Sequence, residues 1–181
     1  MALTKVIGAG LGTTTVGTTI TTADNTDTLT LTSTDADASN GPNLNMFRNS
    51  SSPADSDFLG NIKFNGRNDN SQDVQYGELE IYAADVSDGT EDGWLNFNVM
   101  TAGSNLSYLQ IKGGTGVVFN EDSNDIDFRV ESNGATHMLF VQAGADCLGI
   151  KTTSPNDYYA DDLVLTAPDE GGITIVQGTG H

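Results

Sequence analysis

The sequence predicts an all-β protein, an antiparallel β-sandwich or jelly-roll-like module followed by a short-stranded β-stack. Three observations predict it. About a dozen short runs alternate apolar and polar residues, the period of a half-buried strand. No segment keeps apolar residues at i, i+3, i+4 and i+7, so helices are not expected. The connections are dense in Asn, Asp, Ser and Gly, which bond their own backbone or supply positive φ.

The runs can be taken in order. Residues 27–34, DTLTLTST, put Leu29 and Leu31 on one face and Thr on the other. NLNMFR follows at 43–48, and NIKFNGR at 61–67 sets Ile62 and Phe64 against Lys63 and Asn65. The long run VQYGELEIYAAD, 74–85, opposes Leu79, Ile81 and Ala83 to Glu78, Glu80 and Tyr82. In WLNFNVMT, 94–101, Leu95, Phe97 and Val99 share a face. LSYLQIK (106–112), GVVFN (116–120), IDFRV (126–130), HMLFVQ (137–142), CLGI (147–150), LVLT (163–166) and ITIV (173–176) continue the series. Turn-forming stretches lie between them: SNGPN (39–43), SSSPADSD (50–57), GRNDNSQD (66–73), SDGTEDG (87–93), NEDSND (120–125) and ESNG (131–134). The runs shorten near 115–125. The expected organisation is therefore a Gly/Thr-rich arm over 1–27, a sandwich-like module over 28–118 and a short-stranded segment over 119–181.

Composition narrows the partners. The formal charge is −18, from 25 acids against 7 bases. Such a surface repels nucleic-acid phosphates, and no basic patch offsets it. Anionic membrane surfaces are disfavoured for the same reason, and no run of about 20 apolar residues spans a bilayer. Hydrophobic residues make up 36%, a thin core for one chain, which favours sharing a core between chains. The single cysteine, Cys147, cannot form an intrachain disulfide and reads as a small buried apolar residue.

The opening KVIGAGLGTTTVG, 5–17, mimics a dinucleotide fingerprint with Gly8, Gly10 and Gly12. The third glycine should fall at 13, which is Thr13, and a helix should follow to hold the phosphates. The residues that follow are largely β-branched and oppose a helix. The reading is a Gly-rich arm.

No catalytic set assembles. Asp88, Glu91 and Asp92 cluster in a turn, whereas glycosidase chemistry needs two carboxyls across a cleft. His137 lies in a strand pattern and His181 is the last residue, and G-x-S-x-G is absent. The chain is expected not to be an enzyme and to need no cofactor. GRNDNSQD and NEDSND carry ligands that hard cations accept, so a surface Ca²⁺ is the one metal considered, but the EF-hand register is missing. Trp94, Tyr82, Tyr108, Tyr158 and Tyr159 are candidate platforms for stacking on a glycan.

Two stretches resemble the modules of tailed-bacteriophage fibre proteins. Over 28–103 the resemblance rests on TLTLTSTDADASNGP, FRNSSSPAD, LGNIKFNGRND and DGTEDGWLNF. Over 126–155 it rests on IDFRVESNGATHMLFVQAGADCLGIKTTSP, which is similar to a segment that precedes further repeats in such fibres. The family's GIGTTSP reads GIKTTSP here, with Lys151 in place of Gly. Many such proteins end in a self-cleaving chaperone domain with a catalytic Ser and Lys, and no stretch here resembles one.

The resemblance implies an intertwined homotrimer in a virion, assembled in the bacterial host cytoplasm. The expected role is a tail fibre or spike subunit that provides a trimeric shaft and virion attachment. Its partners would be other virion proteins of tail, baseplate or head, and host surface polysaccharide. A lectin-like module and a head-decorating fibre are the alternatives. On this reading Lys5, Val6, Ile7 and Leu11 belong to an attachment arm. Leu79, Ile81, Leu95, Phe97, Val99, Ile126, Phe128 and Leu139 are candidate positions in the trimer core.

Overall fold

The structure, a computed structural model, describes Gly17, residues 19–159 and residues 162–166. The expected arm residues Lys5, Val6, Ile7 and Leu11, the run at 173–176 and His181 lie outside the described residues. The chain divides into two units, Met1–Asn45 and Met46–His181.

The described part of the first unit contains no strand or helix. Its hydrogen bonds are local. The Asp35 amide donates to Ser33 Oγ, the Asp37 amide to Asp35 Oδ1, and the Ser39 amide to Asp37 Oδ1. Each side chain captures the amide two residues on, as Asx and Ser turns do. This corrects two expectations, because neither 27–34 nor 43–48 is a strand. Alternation describes which side chains could share a face. A strand also requires a neighbouring backbone to complete its ladder.

In the second unit five strands form one antiparallel sheet: β1 (Asp57–Arg67), β2 (Asp73–Asp85), β3 (Asp92–Thr101), β4 (Ser104–Lys112) and β5 (Gly116–Phe119). Spatial order follows chain order, so the sheet is a meander without the crossing connections of a jelly roll. The all-β, antiparallel expectation holds. The turns show why. Between β3 and β4 only Ala102 and Gly103 intervene, with φ of 48° and 85°. Positive φ at both positions marks the turn whose twist suits a two-residue hairpin. Between β1 and β2, Asn68 Oδ1 accepts from the amides of Asn70 and Gln72.

Register sorts the side chains into rows that cross the sheet. Ile62, Leu79, Phe97, Leu109 and Phe119 stand opposite one another, one from each strand. Gly60, Ile81, Leu95, Ile111 and Val117 form a second apolar row. On the other face Asn61, Glu80, Asn96, Gln110 and Val118 form one row, and Lys63, Glu78, Asn98 and Ser107 another. A register shift between Phe97 and Asn98 keeps Val99 opposite Leu106.

Four strands form a second sheet: β6 (Phe128–Ser132), β7 (Ala135–Gln142), β8 (Cys147–Ile150) and β9 (Leu163–Leu165). The first three pair antiparallel, and β9 pairs parallel to β8. The buried apolar side chains Phe140, Cys147 and Val164 belong to this sheet. One 3-10 turn, Ala143–Ala145, joins β7 to β8, and fully buried Pro155 begins a second, Pro155–Asp157. Gly149 lets that segment close over the sheet: a Cβ there would come 2.7 Å from Thr152 Cγ2 and 3.4 Å from Pro155 Cβ. Lys151, where the resembled family has Gly, adopts φ of 57°, the left-handed region that Gly prefers. Its carbonyl accepts from Thr166 Oγ1.

Candidate functional site

The five-stranded sheet buries polar side chains in the middle of one face and exposes apolar ones on the other. Glu78, Asn96 and Gln110 are only 7%, 6% and 8% exposed. On the opposite face Ile62, Phe64, Ile81, Val99, Ile111, Val117 and Phe119 are 39–57% exposed. Two features explain the inversion. Gly60 and Gly77 put no side chain in the apolar rows, so Ile81, Phe64 and Val99 each lack a cross-strand neighbour there. On the polar face long side chains stand on adjacent strands and lie over one another.

Those polar side chains are laced together. Glu80 Oε2 accepts from the Tyr82 hydroxyl at 2.8 Å and from Asn98 Nδ2 at 2.9 Å. Glu78 Oε1 accepts from Asn105 Nδ2 at 2.9 Å. Burial, and then the Glu80 carboxylate that accepts its proton, push the Tyr82 hydroxyl up to about 12. Asn96 Oδ1 and Gln110 Oε1, opposite one another, are buried without a partner.

Aromatic groups sit at one end of this face. Tyr82 is directly opposite Trp94 on β3 and packs against Phe58 on β1, with ring centroids 4.2 Å apart. Lys112 Nζ stands 4.8 Å over the Trp94 ring and pairs with Glu121 at 2.5 Å. The structure thus brings together two of the five candidate glycan platforms. Tyr108 lies on β4, its hydroxyl bonded to Thr101 Oγ1 at 2.7 Å. Tyr158 and Tyr159 follow the 3-10 turn, both exposed. Sequence reasoning missed Phe58 and the amide–carboxylate ladder. Its signal was present in the alternating Glu and Asn of GELE and LNFN.

Of the candidate core positions, Leu79, Ile81, Leu95, Phe97 and Val99 share the open face. Ile126 and Phe128 line a cavity of about 600 Å³ with Leu109, Phe119 and Phe140, where Phe119 and Phe128 have centroids 4.7 Å apart. Leu139 stands opposite Val130 on the second sheet.

The remaining candidates are engaged locally. His137 Nδ1 bonds Thr136 Oγ1 at 2.9 Å, and its ring meets Phe140 edge-on. Buried Cys147 lies 3.7 Å from Gln142 Oε1. Glu91 Oε2 accepts from the Gly89 amide within its own turn. In NEDSND, Asn120 bonds the Asn124 carbonyl and amide at 2.7 and 3.0 Å. Among the described residues no three His, Cys, Asp or Glu side chains are grouped to hold a metal ion.

No family model matches the chain, and no curated protein matches it.

Proposed function

We propose that the chain is a structural subunit of a bacteriophage virion, a tail fibre or spike component that acts as a homotrimer without enzymatic chemistry. It joins other virion proteins at the tail, baseplate or head, and is assembled in the bacterial host cytoplasm. The observation that carries this reading is the open apolar face. A chain that buries carboxylate and amide groups on one sheet face and leaves Ile62, Ile81, Val99, Ile111 and Val117 exposed on the other has built part of a core that other chains can complete. The resemblance of 28–103 and 126–155 to phage fibre modules supplies the setting.

The test is location. Antibodies against the purified chain, applied to particles from its source, should label one discrete structure in the electron microscope. Unlabelled particles, with the protein present in the surrounding lysate, would contradict the virion role.

One observation favours a second reading. Tyr82, Trp94, Glu80 and Asn98 lie together on one face, and aromatic rings beside carboxylate and amide groups suit a sugar. Binding to a glycan array that Trp94→Ala abolishes and Tyr159→Ala leaves intact would support a lectin-like role. An array without signal would remove it.

A further inference from the structure

We infer that the polar face of the five-stranded sheet binds a hard divalent cation, Ca²⁺, among Glu78, Glu80, Asn96 and Gln110. The inference is independent of the virion role and of how many chains assemble.

The first observation is charge without counter-charge. Glu78 is 7% exposed, and Glu80 stands two residues along β2 on the same face. Their hydrogen-bond partners are neutral: Asn105 for Glu78, and Asn98 and Tyr82 for Glu80. Neither carboxylate belongs to an ion pair among the described residues. Lys63, opposite Glu78 on β1, is exposed and forms none with it. A carboxylate withdrawn from water is costly unless a counter-charge or a metal ion accompanies it.

The second observation is separate from charge. Asn96 Oδ1 and Gln110 Oε1 are buried without a donor, on residues only 6% and 8% exposed. Buried acceptors of this kind have lost the hydrogen bonds of water and gained none. Glu80, Asn96 and Gln110 stand in one row across β2, β3 and β4, so the orphaned carbonyls lie beside the uncompensated charge.

Side-chain length lets these oxygens meet. Adjacent strands lie about 4.8 Å apart, and the short Asn96 occupies the middle of the row. The longer Glu80 and Gln110 flank it and can reach a point above it. Glu78, about 7 Å from Glu80 along the strand, approaches the same point diagonally. The neutral donors hold Oε1 of Glu78 and Oε2 of Glu80, which leaves the other oxygen of each carboxylate for the ion. Asn98, Asn105 and Tyr82 then orient the ligands from outside.

The donor set selects the ion. Four oxygens suit a hard cation, and two carboxylates call for a divalent one. A bridging water would satisfy the two carbonyls and leave both charges unanswered, whereas one divalent ion answers both. Ca²⁺ accepts an irregular set of carboxylate and amide oxygens, and Mg²⁺ demands near-octahedral geometry. The net charge of −18 draws cations to the chain. With only two carboxylates the site should be modest, with a Kd of roughly 10⁻⁵–10⁻³ M. It lies on the sheet, away from the turn stretches GRNDNSQD and NEDSND.

The experiment uses the full chain, stripped with a chelator and titrated with CaCl₂ and then MgCl₂ in a calorimeter at physiological salt. Saturable Ca²⁺ binding, about tenfold tighter than Mg²⁺, is expected. Glu80→Gln should weaken it by at least the roughly 10–100-fold that loss of an outer-shell partner costs. Asp88→Asn, in an exposed turn, should leave it unchanged. Hydrogen exchange locates the ion: at ten times the Kd, the amides of β2, β3 and β4 should exchange about tenfold more slowly.

Heat that never saturates, as from loose attraction to an acidic surface, would overturn the site. So would saturable binding whose protection is confined to 66–73 or 120–125, since the ion would then sit in a turn. Equal affinity for Mg²⁺ would overturn the assignment to Ca²⁺. If Glu80→Gln does not fold, hydrogen exchange on the unsubstituted chain still decides.

Discussion

Glu78 is 7% exposed, whereas Ile81, three residues along the same strand, is 39% exposed. The two point to opposite faces of β2, and the usual order of burial is inverted between them. The carboxylate is covered by neighbours on its own sheet, and the isoleucine faces Gly60 across the ladder. This inversion separates the groups that the chain covers alone from those that it leaves exposed.

The polar face should be visible in alkali. Tyr82 is pushed up to about 12 from 10.0. Raising a pKa in the folded state favours the protonated form there. The associated stability is complete below pH 10 and is lost as pH rises through about 12. Absorbance titration should show a tyrosine step near pH 12, and Tyr82→Phe should remove it. Replacing Glu80 with Gln should bring the step to lower pH.

Gly149→Ala tests the small core of the second sheet. The added methyl would lie 2.7 Å from Thr152 Cγ2, so Thr152 or the backbone must move. Overpacking of this kind costs about 1–3 kcal/mol. Urea denaturation at fixed chain concentration should show that loss, and an unchanged midpoint would place the 151–158 segment elsewhere.

Lys151→Gly should act in the opposite direction. Lys151 holds φ of 57°, which costs a side-chain-bearing residue about 1–2 kcal/mol. Gly removes that strain but loses some backbone entropy on folding. The net expectation is a gain of about 0.5–1 kcal/mol, read as a higher denaturation midpoint.

Much of the architecture was legible in the sequence. The faces of Leu79–Ile81 and of Leu95–Phe97–Val99 follow from period-2 alternation alone, and register then aligns them. What alternation cannot supply is the covering of each face. Nothing in GELEIY says that its Glu side chains would be more buried than Ile81, because that depends on glycines in neighbouring strands and on Asn98 and Asn105 lying across the sheet. The runs at 27–34 and 43–48 failed for a related reason. Their pattern suits a strand, but pairing is a property of two segments. The platform candidates divided similarly. Tyr82 and Trp94 meet only because β2 and β3 pair in one register, and no spacing along the chain distinguishes them from Tyr158 and Tyr159.

Light scattering on the purified full chain, across a range of concentrations, decides whether the exposed apolar face belongs to a shared core. A stable assembly of about 57 kDa, three times 19.0 kDa, is expected, and it should persist on dilution because the exposed apolar side chains are buried in it. A well-folded species of 19.0 kDa at every concentration would contradict it, since the apolar face would then be stable in water on a single chain.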